Sequence, residues 1–237
     1  MRKALTAPSA GLEVQGDMKT TLRSFTLVVS CCFGLFLLPD AGRSQGFYLD
    51  VDAGVALAEN VNLDRFLVPT PGAKIKLDPG ARVSVAGGYN FTDYFGAQIE
   101  TGFMANNVKS VTGGGRIDAA LAHTPVLADV VLRYDKPHSK WIHYVGAGAG
   151  ADVSIIALDH VRAPNGSVVD GEGSTVVFAW QAFAGVRHKI TERISLGAGY
   201  KFFFADGASW DVRHTTGDIE SDTARIHSLF VNFNIKF

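Results

Sequence analysis

Cysteine is almost absent from this chain, which has only Cys31 and Cys32 among its 237 residues. Both lie in an N-terminal segment that we expect to be removed, so the remaining chain offers no disulfide framework, thiolate metal site or cysteine nucleophile. A surplus of positive charge is lacking too, since 22 basic residues face 23 acidic ones. Because binding to phosphates needs such a surplus, we expect no nucleic-acid partner.

Long apolar runs are equally rare in the sequence. Only one run, at residues 25–38, approaches the length of a membrane-spanning helix, so a helical membrane protein is not indicated. Disorder is excluded as well, because 47% of the residues are hydrophobic and 11% are aromatic. Glycine, in contrast, is abundant, with 26 residues. This composition indicates a β protein rich in glycine and aromatic residues.

The N-terminal segment has the order of features found in a secretory signal peptide. Two basic residues precede the apolar run, and small residues near position 44 permit cleavage before Gln45. We predict a signal peptide at residues 18–44 and interpret residues 1–17 as an extension from a start codon assigned too early. Two alternatives stay open: the run is retained as a helical anchor, or Cys31 is lipidated as in a lipoprotein.

From residue 47 onward, apolar and polar residues alternate with the period of two that is typical of β-strands. Near the C-terminus, for example, Leu229, Val231 and Phe233 share one face while Asn232 and Asn234 share the other. The pattern predicts eight strands, at residues 47–57, 82–89, 95–103, 126–133, 141–153, 176–187, 194–204 and 228–237. Short connections at 90–94, 135–140 and 190–193 alternate with long ones at 60–81, 106–120, 158–174 and 206–222.

A meander with short turns at one end and long loops at the other is typical of an outer-membrane barrel. The sequence therefore predicts an all-β fold, an eight-stranded antiparallel up-and-down transmembrane β-barrel over residues 45–237, preceded by a cleavable signal peptide. The even number of strands returns both ends of the barrel to the same side of the membrane. The four long loops are then external.

The polar face of these strands is predicted to line the lumen, the reverse of a soluble barrel such as a lipocalin. A narrow lumen must pair its charges, because a buried charge without a partner is costly. Glycines also lie mainly on this face, where Tyr48, Tyr144, Phe183 and Phe203 need room. The predicted lumen charge network balances five acids against five bases: Asp50, Asp52, Glu100, Asp129, Asp152, Arg82, Arg133, Arg187, Lys201 and Lys236.

Four features of the sequence carry its resemblance to a known family. They are the closing Phe237, the segments 141–152 (WIHYVGAGAGAD) and 193–203 (RISLGAGYKFF), and the turn 89–94 (YNFTDY). Over residues 47–237 the chain resembles the small eight-stranded outer-membrane barrels of Gram-negative bacteria, the opacity-protein and OmpA-type transmembrane superfamily. The resemblance implies a location in the outer membrane, with membrane lipids, lipopolysaccharide and the barrel-assembly machinery as partners.

The same resemblance implies a role for the last residues of the chain. In the family, a C-terminal aromatic residue on an alternating strand is read by the barrel-assembly machinery, and here that signal corresponds to Phe233, Ile235 and Phe237. The match is partial, since Asn232 stands where the family usually has glycine.

Residues that could carry chemistry are few. The seven histidines show no metal-binding spacing, and the glycines at 146–150 lack the spacing of a dinucleotide-binding loop. Asp159, His160, Asp211 and His214 in the long loops are the external candidates, for general-base chemistry or for contact with divalent ions or lipopolysaccharide. Because exposed loops are normally rich in such residues, we expect no catalytic residue, no metal and no cofactor.

Two functions fit this sequence. In the first, charge pairs close the lumen, and the protein is a structural or surface-interaction protein, similar to an antigen or adhesin, whose loops meet a host or surface ligand that the sequence does not identify. In the second, the lumen is a narrow porin-like channel for small solutes. We favour the first, since an eight-stranded barrel is barely wide enough for its own side chains. An outer-membrane lipid-modifying enzyme or protease is a third alternative, but we expect no enzymatic activity.

Overall fold

The computed structural model describes residues 45–111, 118–135, 139–162, 166, 168–212 and 218–237. The predicted start extension, the predicted signal peptide, both cysteines and His214 lie outside these residues. No helix among the described residues is long and apolar enough to cross a membrane.

The described residues form twelve β-strands. Their bounds are β1 Gly46–Ala58, β2 Val61–Phe66, β3 Val68–Leu77, β4 Gly80–Asn90, β5 Phe95–Val111, β6 Asp118–Asp135, β7 Trp141–Arg162, β8 Val168–Lys189, β9 Ile194–Ala205, β10 Ser209–Asp211, β11 Asp218–Ser221 and β12 Ala224–Lys236.

Eight of these strands form a closed ring in chain order, each antiparallel to the next: β1, β4, β5, β6, β7, β8, β9 and β12. The ring closes where β12 pairs with β1, with Val51 opposite Phe233. The eight predicted strands lie within these eight, except that Phe237 falls just past the end of β12. The all-β, eight-stranded antiparallel barrel is therefore confirmed.

Two of the short turns are stabilised by the same local interaction, in which a threonine side chain binds backbone N–H groups. In the turn between β4 and β5, the Thr92 hydroxyl oxygen accepts hydrogen bonds from the backbone N–H groups of Tyr94 and Phe95, at 3.2 and 3.0 Å. Thr191 does the same for Arg193 and Ile194 between β8 and β9. A threonine side chain that binds nearby N–H groups satisfies the donors of a tight turn. The end of the barrel that carries these turns is called the short-turn end below.

The two faces of the ring differ sharply in exposure. Val231 is 64% exposed on the outside, whereas its neighbour Asn232 is 3% exposed and points into the lumen. The same alternation runs round the ring, so that large apolar side chains such as Ile99 and Val130 form an exposed outer belt. Such a belt is stable against lipid, since it would be costly to leave in water.

Away from the short-turn end, the strands extend well into the segments predicted as long connections. The predicted bounds of these connections are therefore wrong. β5 and β6 reach residues 111 and 118, and β7 and β8 reach residues 162 and 168. In β7 the inward residues change from Asp152 and Ser154 to Ile156 and Leu158, all of them buried. The inward face of β7 therefore changes from polar to apolar towards this end, where Ile156 and Leu158 pack in an apolar cluster.

The other two predicted long connections also contain strands. β2 and β3 occupy most of 60–81, and β10 and β11 lie within 206–222. They pair in the order β10-β11-β2-β3, and β3 joins the end of β5. We call these four strands the outer sheet.

The outer sheet packs on the barrel interior through one apolar cluster. Trp210 is 1% exposed, and its indole N–H donates to the Ser154 carbonyl on β7 at 3.1 Å. We call the cluster the outer core; its residues are Val61, Leu63, Phe66, Ile75, Val108, Leu121, Ile156, Leu158, Val161, Val169, Ala208, Trp210, Val212 and Ile219. Because it combines residues of the ring with residues of the outer sheet, the sheet covers this end of the lumen.

Candidate functional site

The centre of the lumen is occupied by three charged side chains that meet across the ring. Glu100 on β5 accepts a hydrogen bond from Arg82 Nη2 at 2.8 Å, and both of its oxygens lie 2.7 Å from Lys201 Nζ. Lys201 is on β9, four strands from β5 in a ring of eight, so this bond spans the lumen. All three side chains are at most 2% exposed. Charge-assisted hydrogen bonds of this kind are short and strong.

Amide side chains extend the network on the same level. Gln181 on β8 donates from Nε2 to Glu100 at 3.2 Å and to Asp129 at 2.9 Å, and its oxygen accepts from Arg82 Nη2. Gln98 donates to the other oxygen of Asp129 at 2.9 Å. Asp129 is therefore held by amides, and it forms no ion pair with the described lysines or arginines.

Nearer the short-turn end, a second group centres on Asp50. Arg187 Nη2 donates to Asp50 at 2.7 Å, and Arg187 Nε donates to Asn232 at 2.6 Å. Asn232 also donates to Asp52 at 2.6 Å, and Asp52 accepts from Lys201 at 3.2 Å. The two groups thus form one continuous network that fills the middle of the lumen.

At the short-turn end, Asp135 on β6 is shared by two lysines. It contacts Lys189 through one oxygen and lies 3.7 Å from Lys236 Nζ through the other. Since β12 and β6 lie opposite each other in the ring, the contact with Lys236 spans the opening. Arg133 Nη2 donates to the backbone carbonyl of Thr92 at 2.8 Å. We call Arg133, Asp135, Lys189 and Lys236 the basic mouth.

On the other side of the central network, a histidine pairs with the remaining predicted acid. His123 Nδ1 lies 2.6 Å from Asp152 Oδ2, and the His123 ring lies 5.8 Å from the ring of Phe203. Phe203 belongs to an apolar layer between the network and the outer core; its residues are Ala56, Met104, Leu127, Ala179, Phe203, Ala205, Ala224 and Ile226. The lumen therefore changes from charged to apolar along its axis.

The ten predicted lumen charges all lie on the inward face, but their equal numbers do not produce five matched pairs. Seven of them share the central network: Asp50, Asp52, Arg82, Glu100, Asp129, Arg187 and Lys201. Arg133 and Lys236 lie in the basic mouth, and Asp152 pairs with His123. Sequence reasoning missed His123 and Asp135. Both have the inward parity of Asp129 on β6, so extending the alternation beyond 126–133 would have found them.

The structure brings together only some of the residues predicted as candidates in the external loops. His160 Nδ1 contacts Asp159 and lies 3.9 Å from Asp170, and all three side chains are exposed. The hydrogen bond to Asp159 and the nearby charge of Asp170 raise the pKa of His160. Asp159 and Asp170 line an open surface groove of about 500 Å³. Asp211 lies on β10, outside this cluster, and His214 is not among the described residues.

The residues of the predicted assembly signal lie on the outward face of β12 and just after it. Phe233 is opposite Val51, and Ile235 is opposite Leu49. The backbone N–H of Phe237 donates to the Phe47 carbonyl at 2.9 Å, so the C-terminal residue completes the seam between β12 and β1. Recognition by the assembly machinery stays a prediction.

Glycines give the large side chains of the lumen their room. A Cβ atom on Gly88 would lie 2.5 Å from the Tyr48 hydroxyl oxygen and 2.8 Å from the Ala97 carbonyl oxygen. Gly87 points outward, and a Cβ atom there would meet nothing within 4 Å. An added methyl group would therefore collide with neighbouring atoms at Gly88 but not at Gly87.

We expect Gly88→Ala to destabilise the barrel by about 1–3 kcal/mol, because the added methyl group overpacks the lumen against Tyr48 and a strand backbone. Gly87→Ala is the matched control and is expected to be neutral. The measurement is urea unfolding of the barrel in lipid vesicles, followed by tryptophan fluorescence. Equal unfolding midpoints for the two variants would show that the lumen can absorb the extra volume.

Comparison with known proteins finds one matching family model and solved structures with the same fold. The family model described as outer membrane protein beta-barrel domain matches residues 27–237. Two solved structures share the fold: Neisserial surface protein A (18% identity, TM-score 0.52, covering 81% of this chain and 97% of that one), and OprG from Pseudomonas aeruginosa (16% identity, TM-score 0.53, covering 83% and 98%). No curated protein sequence matches the chain significantly.

Proposed function

Because this chain belongs to the family of outer membrane protein β-barrel domains, we propose that it is a closed barrel that acts at the cell surface rather than in transport. It is an outer-membrane protein of a Gram-negative bacterium. In such barrels the short turns face the periplasm, so the outer sheet lies outside the cell. The barrel then anchors the outer sheet and the upper strand ends, which contact a surface ligand as an antigen or adhesin does.

The observation that carries this proposal is the bond between Lys201 and Glu100 across the lumen. Its length of 2.7 Å leaves no room between these side chains for a solute. Arg82 and Gln181, from two further strands that also face each other, bond at 3.2 Å on the same level. An ion would have to break these contacts, and separating a buried pair of charges costs several kcal/mol.

The apolar layer supports the same conclusion by a different mechanism. Phe203 and Met104 are at most 1% exposed in the layer directly above the charged network. Apolar constrictions exclude water and oppose the passage of ions, because an ion that loses its hydration finds no polar group to replace it. The outer core then adds a second apolar barrier below the outer sheet.

The outside of the barrel supports the proposed lipid partners. Tyr94, Tyr134 and Trp141 are more than half exposed near the short-turn end. Aromatic residues in this position anchor a barrel at the membrane interface. We propose phospholipid on the periplasmic side and lipopolysaccharide on the outer side as the lipid partners, and the barrel-assembly machinery as the partner during insertion.

Planar-bilayer recording tests the closed lumen. We expect the purified barrel to give at most small and rare current events, with a general porin in the same bilayers as the positive control. Large, stable openings that increase with protein concentration would overturn the proposal and favour the narrow channel. In that case, a change of conductance in Glu100→Gln would assign the ion path to the lumen, and an unchanged conductance would assign it elsewhere.

A further inference from the structure

The inward-facing charges are unevenly distributed along the barrel axis. At the periplasmic end, Asp50 and Asp135 face four bases: Arg133, Arg187, Lys189 and Lys236. Farther up, the bases Arg82 and Lys201 face four acids: Asp52, Glu100, Asp129 and Asp152. The periplasmic opening is therefore positive, although the ten predicted lumen charges balance as a set.

Arg133 is the least compensated of these bases. It is 7% exposed, its Nε atom is buried without a hydrogen-bond partner, and it forms no ion pair within the part of the chain that the structure describes. The bond to the Thr92 carbonyl uses one of the five N–H groups of its guanidinium. Asp135, and Asp93 on the neighbouring exposed turn, attract Arg133 without forming an ion pair with it. A buried cation in this state is unfavourable unless an anion joins it.

Lys236 faces Arg133 from the opposite strand of the ring and is also incompletely compensated. It shares Asp135 with Lys189, and its charge is repelled by Arg133, Lys189 and Arg187. The Lys236 side chain is 25% exposed, so that it is only partly buried at this opening. Arg187 is matched by Asp50, and Lys189 and Lys236 share Asp135, so the four basic side chains of the opening outnumber their paired acidic side chains by two.

We propose that the basic mouth binds a phosphate group from the periplasmic side, between Arg133 and Lys236. A guanidinium presents a planar set of donors that suits phosphate oxygens, and a lysine adds a mobile charge. The excess of two basic side chains over acidic ones matches the charge of about −2 on a phosphate monoester. The site takes either a soluble phosphate or the headgroup of an inner-leaflet lipid, because both offer the same chemistry. It is independent of the function proposed for the outer sheet.

Calorimetric titration of the purified barrel in detergent micelles with inorganic phosphate tests the site. We expect saturable binding to the wild type and binding weaker by about tenfold or more in Arg133→Gln, since a charged hydrogen bond is lost. Lys236→Gln changes a partly exposed side chain and is expected to weaken binding while preserving the fold. Arg193→Gln removes the same charge from an exposed turn at the same end and is the matched control, with an affinity within about twofold of the wild type.

The source of the phosphate is distinguished by repeating the titration in nanodiscs. Nanodiscs of phosphatidylcholine alone are compared with nanodiscs that also contain phosphatidic acid. If phosphatidic acid weakens the binding of inorganic phosphate, the site holds a lipid headgroup; if affinity is unchanged, it holds a soluble phosphate. Absence of saturable binding to the wild type would overturn the proposal. So would wild-type affinity in folded Lys236→Gln and Arg133→Gln, with folding judged by heat-modifiable gel migration.

Discussion

Glu100→Ala is expected to lower the free energy of unfolding by about 3–5 kcal/mol, the usual cost of removing one partner from a buried ion pair. Glu100 is 1% exposed and is the carboxylate that both Arg82 and Lys201 contact. Its removal leaves two buried cations with Asp52 as the remaining ion-pair partner. Gln181 would also lose one acceptor.

Unfolding by guanidinium in lipid vesicles measures this loss, with gel migration of the unheated protein as a second probe. Glu59→Ala is the matched control, because Glu59 also contacts two bases, Arg225 and His227, but on the barrel exterior with its side chain 47% exposed. Exposed pairs contribute at most about 1 kcal/mol. Glu100→Gln keeps most of the volume and is expected to lose less than Glu100→Ala. If Glu100→Ala and Glu59→Ala were equally stable, the lumen network would contribute little to stability.

Trp210→Ala is expected to destabilise the outer sheet by about 3–5 kcal/mol, the range for truncation of a buried tryptophan. Trp210 lies in the middle of the outer core, opposite Ile219 in the pairing of β10 with β11. It also holds the outer sheet to β7 through its bond to Ser154. The variant loses both the apolar contacts and this hydrogen bond.

Hydrogen exchange resolves where this loss occurs. We expect faster exchange in β2, β10 and β11, with little change in the strands of the ring below the apolar layer, because those strands have their own ladder of hydrogen bonds. Trp141→Ala is the control, since Trp141 is 54% exposed on the lipid-facing side. Uniformly faster exchange throughout the barrel would show that the outer core and the membrane part unfold as one unit.

The ring could be predicted from sequence because lipid outside and a polar lumen inside impose a strict alternation on every strand. Val231 and Asn232 illustrate how completely exposure follows that alternation. The outer sheet could not be predicted in the same way. β10 has three residues and β11 has four, too few for alternation to be distinguished from a loop. Their partners in the outer core also come from distant strands.

The candidate site was predictable in composition but not in its pairing. Parity identified the residues that face the lumen, including Asp50 and Arg187. It could not assign Lys201 to Glu100, which lies 101 residues away and on the opposite side of the ring, because that contact depends on strand tilt and stagger. Counting charges does not predict the partners of Asp129, because the side-chain amides of Gln98 and Gln181 donate hydrogen bonds to this acid in place of a basic residue.

The length of β7 and β8 sets how far the barrel extends beyond its apolar belt on the side of the outer sheet. Each strand has 22 residues, and at about 3.3 Å per residue this gives about 70 Å of strand. With the usual tilt of about 40°, such a strand rises about 50 Å, twice the height of the apolar band of an outer-membrane barrel. About half of β7 and β8 therefore stands clear of the hydrocarbon, whereas β1, β4, β9 and β12, with 11 to 13 residues, end much nearer to it. The outer sheet is joined to the longer strands of the ring by the pairing of β3 with β5 and by the bond from Trp210 to β7. A ligand of the kind proposed would therefore meet a surface built of paired strands, which needs less ordering on binding than a loop does.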